Sequence, residues 1–215
     1  MLIIFDLDDT LIDTTGSIAP RMFKEALQAI YPDFTSADLQ MLLHYNTKAS
    51  SCTQALQNFL KGQRNYKKLL SLGTKIIYSD LPEDLEVMPR IDANKILKEL
   101  SKHHKLNLVS IGQRDRQLKK MEKAGIDYSL FSKILITENS NKKPLYQQIF
   151  NSFDFKASEV IVCGDRVEVD LKPANDLGFI TVHMQWGRGS IAANAPWVDY
   201  TITKLHELRK IIGVL

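Results

Sequence analysis

Apolar positions open the chain as a four-residue run, Leu2-Ile3-Ile4-Phe5, that stops abruptly at Asp6-Leu7-Asp8-Asp9-Thr10. A run this short, rich in β-branched and aromatic residues, predicts a buried strand that ends in carboxylates. The period then changes. From Pro20 onward Met22, Phe23, Ala26, Leu27 and Ile30 fall on one helical face, Pro20 suits a first helical position, and Pro32 closes the segment. A second helix follows a Thr35 or Ser36 cap with Leu39, Leu42 and Leu43 apolar. A third is carried by Ala55, Leu56, Phe59 and Leu60 before Gly62, and a fourth by Tyr66 to Tyr78. The prolines of Leu81-Pro82 and Met88-Pro89 mark the return from this helical stretch, because each disfavours helix in the residue before it.

Beyond that return, strand and helix patterns alternate. A helix over Asp92 to Lys102 precedes the strand Leu106 to Val109; a helix over Gln117 to Lys123, closed by Gly125, precedes the strand Ile134 to Ile136. Leu145 to Phe150 reads as helix, Val160 to Cys163 as strand, then a helix ending near Gly178, the strand Ile180 to Met184, and an edge strand Tyr200 to Ile202 before an amphipathic terminal helix. Such alternation predicts an α/β fold with a mostly parallel, Rossmann-like sheet covered by helices on both faces. The expected division is a core of residues 1–16 and 86–215 and a small all-helical insert at 17–85.

Composition narrows the function. A chain of 215 residues, 44% hydrophobic, can bury one substantial core and a smaller lobe. The formal net charge is +3, without a basic block interleaved with aromatics, so nucleic acid is not an expected partner. No stretch approaches the roughly 18 apolar residues of a membrane span, and the start lacks a basic leader, which predicts a cytoplasmic protein. Cys52 and Cys163 lack paired spacing and read as packed, reduced thiols. Nothing in the sequence sets an oligomeric state.

Crossovers in a parallel sheet bring successive strand ends to one rim. That rim would gather Asp6 after the first strand, Ser110-Ile111-Gly112 after the second, and Gly164-Asp165 with Asp170 after the fourth. Lys143-Pro144, opening the helix after the third strand, would add one ammonium to these carboxylates, although Lys142 is adjacent. A carboxylate nucleophile, cation ligands and donors to phosphate oxygens are what phosphoryl transfer requires.

With these motifs in order, Asp6-x-Asp8-x-Thr10, Ser110, Lys143 before Pro144, and Gly164-Asp165 with Asp170, the chain resembles the haloacid dehalogenase superfamily, on its phosphatase branch with a helical cap domain inserted after the first strand. The resemblance implies a magnesium-dependent phosphatase acting on a small phosphate ester, such as a sugar phosphate or nucleotide monophosphate. By that resemblance Asp6 is the nucleophile that becomes an aspartyl-phosphate, and Asp8 is the general acid and base. Thr10 orients them by a hydrogen bond, and Asp170 supports the metal shell or Lys143. Mg²⁺ is held by Asp6, Asp165 and the backbone carbonyl of Asp8. Ser110, the backbone at Ile111 and Lys143 bind the phosphoryl group. The presence of Asp8 argues against the dehalogenase and phosphonate hydrolase siblings, which replace that second aspartate.

Two positions depart from the family pattern. Ile111 stands where an Asn is common, and Arg166 stands where a small residue is frequent, free to meet an acidic substrate group or to pair with Glu168. A phosphomutase shares the same residues, and the unusual second motif motivates a non-catalytic phospho-ligand binding module as the rival from another class. His103 and His104 read as a solvated helix end, and His44, His183 and His206 carry no assigned role. Lys48, Arg64, Lys67 and Lys68 read as a solvated face of the helical insert, and Trp186 as packing or as an edge of the cleft.

Overall fold

The computed structural model describes residues 1–31, 33–191 and 195–214, so the helix closure expected at Pro32 lies outside the described residues. In chain order, β1 (Leu2–Phe5) is followed by α1 (Ala19–Ile30), α2 (Ser36–Lys48), α3 (Cys52–Phe59) and α4 (Tyr66–Ile77). Then come α5 (Ala93–Leu100), β2 (Lys105–Ile111), α6 (Arg114–Lys123), β3 (Phe131–Thr137), α7 (Lys143–Phe150) and β4 (Val160–Gly164). The short α8 (Lys172–Asn175), β5 (Ile180–Met184), β6 (Tyr200–Ile202) and α9 (Leu208–Val214) complete the chain. Two compact units result: Met1–Asp13 with Val87–Leu215, and Thr14–Glu86.

The first unit is an α/β layer structure. Its six-stranded sheet has the order β3-β2-β1-β4-β5-β6, and every pairing is parallel. All four residues of β1 are fully buried, which is why its sequence is apolar without alternation. Leu2, Ile4, Val109, Val160 and Val162 line one face and pack with Tyr146 and Ile149 of α7, Leu171, Ala174 of α8 and Phe179. The alternate positions Ile3, Phe5, Leu108, Ile161 and Cys163 are equally buried, so the other face is covered too. Each such Leu, Ile or Phe side chain contributes about 1.5–3 kcal/mol on burial. No described helix is long and apolar enough to cross a membrane, and both cysteines are thiols.

The second unit is built from α1 to α4. Phe23, Ala26, Leu27 and Ile30 of α1 meet Leu42, Ala55, Leu56, Leu60 and Ile77 in its core. Thr35 caps α2 reciprocally: its Oγ1 accepts from Asp38 N–H, and the Asp38 carboxylate accepts from Thr35 N–H. Gly73 in α4 allows a close approach, since a Cβ there would lie 2.6 Å from Leu56 Cδ2 and 2.7 Å from Ile30 Cδ1. Lys48, Arg64, Lys67 and Lys68 are all exposed.

Strand and helix limits differ from the sequence expectation at the ends that matter most. β2 runs on to Ile111 and β4 through Gly164, so Ser110 lies inside a strand and Asp165 directly follows one. α6 begins at Arg114, three residues before the expected Gln117, because the polar residues there conceal the period.

Candidate active site

β2, β1 and β4 are neighbours at the centre of the sheet, and the order reverses at β1, the switch point where open α/β sheets bind ligands. Asp6 follows β1, and its N–H donates to Cys163 O at 2.9 Å, carrying the β4 ladder one residue beyond the strand. The chain then turns tightly, with Leu11 and Ile12 N–H both donating to Leu7 O and Asp9 at φ 58°. Asp9 is buried with its carboxylate against Gly187: a Cβ at 187 would come within 2.3 Å of Asp9 Cγ.

Lys142, not Lys143, enters the centre. Its Nζ lies 2.5 Å from Asp6 Oδ1 and 2.7 Å from Asp170 Oδ1, and it donates to Val109 O at 2.9 Å. Lys143 points instead toward Asp176, at 4.0 Å, with both side chains 38% exposed. The reason is helical geometry: Lys142, Tyr146 and Ile149 are spaced four and three apart, so one buried face carries all three, while the next residue is turned by about 100°. The place beside Asp6 and Asp170 expected for Lys143 is therefore occupied by Lys142.

The carboxylates respond to burial and to each other. Burial pushes Asp6 up to about 6, against the pull of Lys142 and with added repulsion from Asp170. Burial also acts to raise Asp170, but Lys142 and Arg166 outweigh it and hold Asp170 below the ordinary carboxylate value. For Lys142, burial disfavours the proton, yet Asp170 and Asp6 prevail and keep it above the ordinary lysine value. Asp165 has no compensating lysine; burial, then Asp170, Asp9 and Asp6, hold it well above the carboxylate range.

One oxygen from each of Asp6, Asp165 and Asp170 lies within 4.8 Å of the others. Asp6 Oδ2 and Asp165 Oδ1 are buried and lack a hydrogen-bond partner among the described residues. Two uncompensated buried carboxylate oxygens beside a third acid fit a hard divalent cation, which takes oxygen ligands at such sites. The carboxyl group of Asp8 is engaged elsewhere: Oδ1 accepts from Lys120 Nζ and Oδ2 from Gln117 Nε2, both at 2.7 Å.

Other expected residues fall into place unevenly. Ser110 is fully buried, and its Oγ accepts from Gln117 Nε2 at 2.6 Å. Ile111 ends β2, and the following Gly112 N–H is committed to Thr137 O. Thr10 is fully buried, but its Oγ1 makes none of the expected hydrogen bonds to a described residue; Asp8 takes its side-chain donors from α6. Arg166 pairs with Asp170, at 4.0 Å, rather than with Glu168, and the Arg166 N–H also donates to Asp170 Oδ2 at 2.9 Å. Trp186 stacks on Arg90, 3.5 Å from guanidinium carbon to ring centroid, and donates to Asp13 Oδ1.

Sequence reasoning missed Gln117, Lys120 and His183. The first two share one face of α6 at a spacing of three and are buried on a helix otherwise rich in charge, a signal visible only once its limits are known. His183, buried in β5, sits with Nε2 3.1 Å from Asp165 O and so braces the residue after β4.

Fold and centre together define a class: a Rossmann-like α/β enzyme with an acidic, cation-ready centre at the carboxyl ends of its middle strands. Residues 3–184 match the haloacid dehalogenase-like hydrolase family. The chain belongs to that family and is an enzyme of its phosphatase branch, which displaces the non-catalytic reading motivated by Ile111. It is 27% identical to glyceraldehyde 3-phosphate phosphatase of Methanocaldococcus jannaschii, over 98% of this chain and 96% of that protein. It is 26% identical to N-acylneuraminate-9-phosphatase of Rattus norvegicus, over 98% of this chain and 92% of that one. The magnesium-bound crystal structure of YfnB from Bacillus subtilis superposes with a TM-score of 0.71 at 19% identity, covering 99% of this chain and 98% of that chain, a likeness of fold.

Proposed function

We propose that this enzyme hydrolyses a small phosphorylated metabolite through an aspartyl-phosphate formed on Asp6, with Mg²⁺ held by Asp6, Asp165 and the backbone carbonyl of Asp8, and with Asp170 supporting that shell. The observation that carries the reading is the buried lysine: Lys142 neutralises Asp6 and Asp170 where an incoming phosphate would otherwise meet uncompensated negative charge. The relatives' names favour a phosphorylated sugar or sugar-like aldehyde as the substrate class over a nucleotide monophosphate.

In this mechanism an Asp6 oxygen attacks phosphorus, forming the acyl phosphate as the bond to the ester oxygen breaks. Asp8 gives its proton to the departing alkoxide. The resulting Asp8 carboxylate then takes a proton from water, whose oxygen attacks phosphorus and breaks the bond to Asp6, releasing inorganic phosphate and restoring protonated Asp8. Ser110, the backbone at Ile111 and Lys142 hold the equatorial oxygens. Bound Mg²⁺ supplies charge neutralisation of the phosphoryl oxygens and of Asp6. Reduced thiols at Cys163 and Cys52 support a cytoplasmic setting.

The test is phosphate release from an aryl phosphate with and without Mg²⁺, for the native protein and Asp6→Asn, followed by a panel of sugar phosphates and nucleotide monophosphates. Metal-dependent release lost in Asp6→Asn is expected. Undiminished release by Asp6→Asn, or no release from any ester, overturns the proposal.

A further inference from the structure

α6 is the most polar helix of the α/β unit, yet it buries two of its polar residues, Gln117 at 1% and Lys120 at 7% exposure. A buried lysine and a buried amide are costly unless fully partnered. Their partners are the two oxygens of one carboxylate, Asp8 Oδ2 and Oδ1, each at 2.7 Å. The Gln117 amide nitrogen has a second hydrogen, and it goes to Ser110 Oγ at 2.6 Å. Gly112 leaves the space for this: a Cβ there would press within 3.1 to 3.2 Å of Gln117 Cδ, Cγ and Oε1, so the amide lies flat against the turn after β2.

We propose that Gln117 and Lys120 are positioning residues for protonation of the leaving group, α6 fixing both oxygens of the Asp8 carboxyl group and, through the shared Gln117 amide, the Ser110 hydroxyl. This rests on the reading of Asp8 and Ser110 given above. Two donors on two oxygens define the plane and depth of the carboxyl group, which a single contact would leave free to rotate about χ2. Because Ser110 Oγ accepts from Gln117, its own O–H is left to point elsewhere, and the same amide ties its orientation to that of Asp8. A rigid helix thereby aligns the acid with a phosphate-binding hydroxyl, and the alignment of the acid is worth rate only when a proton must be delivered.

The consequence is a selective loss. An aryl phosphate expels a stable phenolate and needs little protonation, whereas an alkyl phosphate expels a poor leaving group and needs it fully. The experiment measures kcat/KM, which reports the steps through formation of the acyl phosphate, for p-nitrophenyl phosphate and for the sugar phosphate the native enzyme hydrolyses fastest. The variants are Gln117→Met, Lys120→Met and Lys120→Arg, each checked by circular dichroism. Lys120→Met is expected to lose about 100-fold on the alkyl ester and less than about tenfold on the aryl ester, with Lys120→Arg regaining most of the alkyl rate, and Gln117→Met, which also releases Ser110, to lose on both esters but at least about tenfold more on the alkyl one. Should Gln117→Met fail to fold, the contrast between Lys120→Met and Lys120→Arg carries the same split. Equal losses on the two esters, or no loss, overturn the assignment while leaving the phosphatase reading intact. A native enzyme inert toward both esters overturns that reading, and this assignment with it.

Discussion

Lys142 Nζ stands 2.5 Å from Asp6 Oδ1, with no more than 2% of either side chain exposed. An ion pair so far from water is stable only because a second acid, Asp170, and the Val109 carbonyl complete the ammonium's three donor directions. The pair joins the end of the first strand to a helix opening 136 residues later, so the Asp6 carboxylate is held by tertiary structure and not by its own turn.

Removing the lysine disturbs both acids. Lys142→Ala leaves Asp6 without its ion pair and Asp170 with Arg166 as its remaining cation, and is expected to cost about 3–5 kcal/mol of stability and to abolish phosphate release. Lys143→Ala breaks only a half-exposed contact to Asp176 and is expected to change stability by less than about 0.5 kcal/mol, with near-native turnover. Urea unfolding and phosphate release on both variants decide the matter; the reverse ranking would put Lys143 at the centre.

Much of this fold was legible in advance. Four buried residues in β1 and the alternation after Ala93 identify a parallel sheet, and the acidic strand ends locate its rim. The lysine was misplaced by one residue because Pro144 marks where α7 starts without saying which way its first side chains face. The spacing from Lys142 to Tyr146 and Ile149 carries that information, since those two are the buried residues of α7. Gln117 and Lys120 were illegible for another reason: a polar residue buried by pairing with a polar residue leaves no apolar period to read. The missing Thr10 hydrogen bond has the same origin, since Asp8 is satisfied from α6, a partner 109 and more residues away.

Asp6→Asn tests the nucleophile directly. The amide keeps the size of the side chain but is a far weaker nucleophile, so turnover is expected to fall by at least about 10³-fold. Acid-quenched native enzyme mixed with substrate should carry one covalent phosphoryl group by intact mass, and Asp6→Asn none. Phosphoryl transfer to another residue in the variant would move the assignment elsewhere.

Gly164 serves the site by its absence of a side chain. A Cβ there would come within 2.5 Å of Asp170 Cβ and 2.7 Å of its Oδ2, with no flexible atom free to yield. Gly164→Ala should push Asp170 off Lys142, costing about 1–3 kcal/mol and most of the activity. Thermal melting and phosphate release are the measurements. A fully active, native-like Gly164→Ala would mean that the exact seat of Asp170 is unimportant.

The acid cluster also predicts how the protein responds to divalent cations apart from catalysis. Asp6 and Asp165 have folded-state pKa values raised by burial, so ionising them works against the fold. Stability from this source is fully present below the unfolded carboxylate value of about 3.9 and is lost as pH rises through about 6 for Asp6 and through the raised value of Asp165. A cation bound to the ionised cluster reverses that loss. At about 100 times its dissociation constant it contributes about 2.7 kcal/mol, a rise of about 5–10 °C in Tm for a chain of this length. The rise should be larger at pH 8 than at pH 5.5, where protons compete for Asp6. Asp165→Asn removes one buried charge, so it should melt no lower than the native protein without metal and should gain little on adding Mg²⁺. Differential scanning calorimetry with EDTA or Mg²⁺ at the two pH values tests all three statements, and an equal gain in Asp165→Asn would remove Asp165 from the ligand set.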